Sequence, residues 1–191
     1  MVYLITGLGN IGDEYDGTRH NIGFRIADEL ARRHEVIFSD KRYGFITEFS
    51  IKGQKIILLK PSTYMNASGN AVRYWVNQKK IDLERLLIVN DDIALPLGTI
   101  RMKPSGSEGG HNGLRSITST LGTNQYARLR FGVGNEFARG SQIDWVLGKF
   151  DSTEEEYINT RVKIACDQIE SFCLEGIQNA MNKYNSTGEK K

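Results

Sequence analysis

Tyr3-Leu4-Ile5-Thr6-Gly7-Leu8-Gly9-Asn10-Ile11-Gly12 is an apolar run that stops on a glycine-rich turn. Bulky and β-branched residues bounded by Gly7 read as a short strand. The turn is a literal G-x-G-x-x-G. A dinucleotide site needs the helix to open at those glycines, so that its N-terminus faces the pyrophosphate. Here Asp13 to His20 intervene, Gly17 among them, and the acid expected on a second strand about 20 residues on is missing: Asp28 and Glu29 fall inside a helical pattern. The other reading is a turn that presents Asn10, Tyr15 and His20 at the end of a central strand. That end is where open α/β sheets hold ligands.

Working outward, strand-like and helix-like stretches alternate. Asn21 is placed to cap a helix carrying Phe24, Ala27, Leu30 and Ala31. Phe45 to Ile51 and Ile56 to Leu59 read as strands around Lys52-Gly53-Gln54. Ser68 to Val76 reads as a helix and Leu86-Leu87-Ile88-Val89 as a buried strand. Thr99 to Met102 and Leu129 to Val133 are further strands, with a short helix from Leu114 to Leu121 between them. Ser152 and Glu155 have capping-box spacing. Behind them Ile158, Val162, Ala165, Ile169, Phe172 or Cys173, Ile177, Ala180 and Tyr184 recur every three or four positions, one apolar face of a docking helix. The order predicts a single α/β domain over residues 1–184, with a mixed, mostly parallel central sheet, helices on both faces and a C-terminal docking helix. Residues 185–191 are expected to fray.

Composition bounds the class. The chain has 191 residues, 39% apolar and 25% charged, with a net charge of +2. That is enough chain to bury a core without staples or metals. No run of 18 apolar residues exists, so no membrane-spanning helix is expected, and the first residues do not read as a signal peptide. Cys166 and Cys173 lie seven apart in a helical pattern, about 10 Å between Cα atoms, too far for a disulfide. They read as core residues in a reducing compartment. Residues 95–149 carry a net +4 and residues 151–175 a net −5. That asymmetry permits a phosphate-rich ligand near the glycine-rich middle, and equally a solvated face.

Four segments carry candidate chemistry. His20 sits in Thr18-Arg19-His20-Asn21, outside any apolar repeat. It is either structural or a general base; a carboxylate from Asp91-Asp92, after the buried strand, would fix its tautomer and raise its basicity. His34, ending a helix after two arginines, reads as a surface cation. Lys60-Pro-Ser-Thr-Tyr64-Met65-Asn66-Ala-Ser-Gly69 leaves a strand for a helix. Asn66 either caps that helix or offers its amide to a carbonyl or water. Ser105-Gly-Ser-Glu-Gly-Gly-His111-Asn112-Gly113 reads as a mobile loop with exposed N–H groups, suited to a polyanion. His111 and Asn112 are helix caps or ligand contacts. No nucleophile elbow, P-loop or zinc spacing is present.

Taken together, these blocks resemble the bacterial peptidyl-tRNA hydrolase family. The matching stretches are GLGNIGDEYDGTRHNIGF (7–24), KPSTYMNASG (60–69), NDDIALPLG (90–98), SGSEGGHNGLRSI (105–117), YARLRFGVG (126–134) and WVLGKF (145–150). The resemblance implies a monomeric, cytosolic enzyme without metal or cofactor, which cleaves the ester joining a peptide to the 3′ ribose of tRNA. It implies His20 as base on water, Asp91 as its partner, and Asn10 as discriminator of N-blocked substrate. Tyr15, Tyr64, Asn66 and Asn112 would contact peptidyl-tRNA, with Met65 lining the cleft and His111 nearby. Lys103, Arg130 and Arg139 would meet tRNA phosphates. Ile11, Ala94, Glu136 and Phe137 depart from the family's usual residues. Two other readings use fewer residues: an oxidoreductase rests on the glycines alone, and a non-catalytic RNA-binding protein leaves His20, Asn10, Asn66 and Asp91 without a task.

Overall fold

The computed structural model describes residues 1–185. Its centre is a seven-stranded sheet in the order β2-β3-β4-β1-β5-β7-β6. The strands are β1 (Val2–Gly7), β2 (Ser39–Lys41), β3 (Gly44–Ile51), β4 (Gln54–Pro61), β5 (Leu86–Asp92), β6 (Ile100–Lys103) and β7 (Ala127–Gly132). Strands β4, β1, β5 and β7 run parallel; β3, β2 and β6 are antiparallel additions at the edges. Parallel strands are joined by helices that cover both faces, so their side chains are apolar in both directions. In β1, Tyr3 and Ile5 join one core while Leu4 joins the other.

The first core is closed by α1 (Ile22–Arg33), α5 (Glu155–Glu175) and α6 (Ile177–Tyr184). The second is closed by α2 (Ser68–Lys79) and α3 (Asn112–Leu121). A short α4 (Gln142–Val146) packs near the Arg19–Asn21 turn. Helix α1 buries Ile22, Ile26, Ala27, Leu30 and Ala31; each fully buried Ile or Leu is worth about 1.5–3 kcal/mol. It ends on Arg32 and Arg33, cations that suit the negative end of the helix dipole. The glycines of the first motif serve this packing. A Cβ on Gly7 would collide with the Gly23 carbonyl, and one on Gly23 with the Leu8 and Val89 backbones. Their absence lets α1 lie close against β1.

Several expectations are revised. The docking helix is two helices, α5 and α6, broken at Gly176 with φ 85°. The apolar stripe crosses the break because Ile177 and Ala180 still pack on the same core. Ser152 caps nothing. Asp151 Oδ1 accepts from the Thr153 and Glu154 N–H groups while Glu154 Oε2 accepts from Asp151 N–H, a capping box one residue earlier. Asn21 does not cap α1 with its side chain either. His34 is not a free surface cation: its ring stacks on Phe49 at 4.0 Å and Nε2 meets Glu170 at 2.8 Å, bracing α1 against α5. Strand β2 and helix α4 escape sequence reading, being too short for periodicity to register.

Cys166 and Cys173 are free and buried in the first core, and burial pushes the Cys166 thiol up to about 12. Asn185, placed in the frayed tail by sequence, is held. Its Oδ1 accepts from Met102 N–H at 2.8 Å and Gln168 Nε2 at 2.9 Å, and its Nδ2 donates to Met102 O. The remainder of that tail, 186–191, lies outside the described residues. No helix is long and apolar enough to cross a membrane among the described residues.

Candidate active site

A cleft of about 470 Å³ opens at the C-terminal ends of β1 and β5. This is the end at which parallel sheets present loops for ligands. Parallel neighbours β1 and β5 finish side by side, with Gly7 opposite Val89, so the loops after them meet. The first loop brings Asn10, Tyr15 and His20; β5 itself ends in Asn90, Asp91 and Asp92.

His20 stands on a 3-10 turn, Arg19–Asn21, just ahead of α1. Its Nδ1 lies 2.9 Å from Asp91 Oδ2 and 3.0 Å from Oδ1. Asp91 is an acceptor, so Nδ1 carries the ring proton and Nε2 holds the free lone pair. Burial works to lower the His20 pKa, but the Asp91 charge and hydrogen bond outweigh it, and the pKa is raised above the ordinary imidazole value. Asp91 is 3% exposed and lies well below the usual carboxylate range. Burial alone would raise it; the imidazoles of His111 and His20 overcome that.

His111 is the second imidazole on Asp91. Its Nδ1 caps α3 by accepting from the Gly113 and Leu114 N–H groups, and its Nε2 donates to Asp91 Oδ1 at 2.8 Å. Of the two uses that sequence left open, cap or ligand contact, Nδ1 makes the cap, and Nε2 is taken by Asp91, a tie that sequence did not foresee. The ring centres of His20 and His111 are 5.1 Å apart. His20, Asp91 and His111 place three ligand-type atoms within 4.8 Å of one another. A metal would need a lone pair on His111 Nε2, which would drive the proton to Nδ1, against two backbone donors. The trio therefore fits a carboxylate held by two N–H donors and not a cation site.

Asn10 is oriented by its neighbours. Its backbone exchanges two hydrogen bonds with the Asn21 amide, at 2.8 and 2.9 Å. Its side-chain Oδ1 accepts from Met65 N–H at 2.7 Å, which leaves Nδ2 as a donor without a partner among the described residues. Met65 is itself 4% exposed and belongs to the second core, with an edge on the cleft. Asn66 is exposed on the cleft wall and caps nothing; Ala67 occupies the cap position of α2. Tyr64 is 58% exposed beside it. Asn112 begins α3, and its Oδ1 accepts from Arg115 at 3.2 Å.

The basic side lies toward β7 and β6. Arg130 and Lys103 line the cleft, and Arg130 Nε is held by Asp92 Oδ2 at 2.7 Å. Arg139 is exposed between β7 and α4, away from the cleft wall. Sequence reasoning missed Arg128, which is 1% exposed and lines the cleft. It donates to the carbonyls of Ser107 and Asn124 at 3.1 and 3.0 Å and lies 4.4 Å over the Tyr126 ring. Burial lowers its pKa. The alternation Arg128-Leu-Arg130 was the available signal, since period two puts both arginines on one face. Helix α4 was also missed; it closes the cleft with Ile143, Val146 and Leu147. Arg19 ties α4 to the His20 turn, stacking 3.9 Å over Trp145 and donating to its carbonyl.

The described geometry has close counterparts. The peptidyl-tRNA hydrolase family model matches residues 4–191. A Phocaeicola vulgatus protein named peptidyl-tRNA hydrolase is 60% identical over 185 residues, 97% of this chain and 99% of that protein. A Bacteroides fragilis protein of the same name is 57% identical over the same shares. The crystal structure of peptidyl-tRNA hydrolase from Acinetobacter baumannii superposes with a TM-score of 0.91 at 34% identity, covering 97% of this chain and 95% of that one. The chain belongs to the peptidyl-tRNA hydrolase family.

Proposed function

We propose that this member of the peptidyl-tRNA hydrolase family cleaves the ester between a peptide, or an N-blocked amino acid, and the 3′ ribose of tRNA, with His20 as general base on water. The observation that carries the reading is the His20 Nδ1 to Asp91 distance of 2.9 Å, in a residue that lines the cleft. Water attacks the ester carbonyl carbon as His20 Nε2 takes its proton, and the imidazolium so formed is stabilised by Asp91. The tetrahedral intermediate expels the ribose oxygen, which takes that proton back. The products are a free peptide carboxyl and a tRNA hydroxyl. His111 braces Asp91 from the other side, so the carboxylate accepts from two fixed donors.

The free Nδ2 of Asn10 and the Asn66 amide offer donors to the acylated end of the substrate. An N-blocked amino acid presents there an extra carbonyl that a free aminoacyl group lacks. Tyr15, Tyr64 and Asn112 supply further contacts to peptidyl-tRNA. Lys103, Arg130 and Arg139 meet tRNA phosphates. The protein works as a cytoplasmic monomer without metal or cofactor. The test is a discontinuous assay of N-acetyl-aminoacyl-tRNA against unblocked aminoacyl-tRNA. Wild type cleaves the blocked substrate preferentially, and His20→Ala lowers kcat by about 100- to 10,000-fold with tRNA binding retained. Near-parental turnover by His20→Ala overturns the assignment of the base.

A further inference from the structure

A second groove, of about 380 Å³, lies between the β2–β3 turn and α2. Arg42, Tyr43, Asn70, Arg73 and Tyr74 are among its walls, and no carboxylate lines it. The Arg42 guanidinium lies 5.2 Å from the centres of both tyrosine rings, which meet edge to face at 5.5 Å. Arg42 and Arg73 are exposed, and neither makes an ion pair among the described residues. The groove is held in shape. Trp75 Nε1 donates to Arg42 O at 2.9 Å, and Ser62 N–H donates to Tyr43 O at 2.8 Å. Tyr43 has φ 63°, a left-handed backbone unusual for a bulky residue.

Its position connects it with the cleft. Gly44 pairs with Pro61, so the β2–β3 turn lies at the same end of the sheet as the cleft. Asn66 lines the cleft and Asn70 the groove, four positions apart on the chain entering α2. The sheet order puts β7 and β6, with Arg130 and Lys103, on one side of Asp91, and β3 and β2 on the other. If tRNA phosphates occupy the basic side, as the proposed function has it, the peptide leaves on the opposite side, toward this groove. Three strand spacings separate β5 from β3, about 14 Å, which about four extended residues span.

From this placement we propose that the groove is a subsite for an acidic side chain of the peptide, about four residues from the scissile ester. Planar guanidinium groups take a carboxylate in two parallel hydrogen bonds, and the tyrosines flank it with ring faces and hydroxyl donors. This rests on the peptidyl-tRNA reading of the cleft. The experiment compares tRNAs bearing N-acetylated pentapeptides with Glu, Gln or Lys at the fourth residue from the ester, with N-acetyl-aminoacyl-tRNA as the control too short to reach. Wild type should show a KM for the Glu substrate about 3- to 10-fold below that for Lys, with Gln between. In the double variant Arg42→Gln, Arg73→Gln the three values converge, while turnover of the control and the melting temperature stay put. Equal KM values in wild type, or a Glu preference surviving in the double variant, overturn the subsite. So does a loss of affinity for deacylated tRNA in the double variant, which would make the groove an RNA contact. Failure of wild type on the control itself overturns the reading of the cleft, and the subsite with it.

Discussion

Asp91 holds two imidazoles with one carboxylate, and each imidazole has a different second duty. His111 spends its other nitrogen on the α3 N-terminus; His20 leaves its other nitrogen to the cleft. The His20–Asp91 pair was legible in sequence because a carboxylate after a buried strand is a recurrent partner for a loop histidine. The tie from His111 to the same carboxylate was not, since nothing local couples residues 91 and 111. The pH behaviour follows from the raised His20 pKa. As the proposed general base, His20 works only when neutral, so kcat/KM should rise with pH through that pKa. In Asp91→Asn the charge that raises it is gone and burial, which lowers it, remains. The acid limb therefore shifts to lower pH while the plateau falls. A pH profile of kcat/KM for the two proteins checks this; a limb that stays in place or moves up removes Asp91 as the cause.

Among elements, the contact of α1 with β1 sets where His20 stands, because the 3-10 turn carrying it runs straight into α1. That contact depends on two residues lacking a Cβ, and Gly23 faces backbone atoms that cannot step aside. Gly23→Ala should destabilise the fold by about 1–3 kcal/mol, a fall in Tm of roughly 2–12 °C for a chain of this size. Thermal denaturation followed by circular dichroism reads it. A Tm within a degree of wild type would mean that α1 shifts freely. The glycines of the first motif were visible as a pattern; their partner, another glycine on a helix, was not. The long helices, and the strands β1, β4 and β5, were read because burial imposes a period that runs through many residues. Helix α4, with five residues, carries no such signal, and its role as cleft wall rests on Arg19 and Trp145 meeting from far apart in the chain.

For the whole molecule, the fold turns a scattered excess of charge into a placed one. Lys103 pairs with Arg128 and Arg101 with Arg130 across β6 and β7, so the net +4 of residues 95–149 is in part concentrated beside the cleft. Arg128 is consumed in holding the Ser107 loop; Arg130 and Lys103 line the cleft, Arg130 paired with Asp92. In Arg130→Ala, tRNA binding should weaken across all tRNAs, and the slope of log K against log salt should flatten by about one counterion. Filter binding at several salt concentrations measures it, and an unchanged slope takes Arg130 out of the tRNA interface.

Periodicity and the order of elements determined by themselves that this chain is an α/β protein with a central strand ending in a polar turn, and the resemblance of its motif blocks pointed to its family. Those are properties of neighbouring residues, and burial acts on them locally through the strand and helix repeats. Tertiary structure alone decided the rest of the site: the second imidazole on Asp91, the Asn21 brace on Asn10, the buried Arg128 and the groove at Arg42 and Arg73. Each joins segments brought together only when the sheet closes, by packing of both cores at once. No local pattern along the chain encodes a distance set that way.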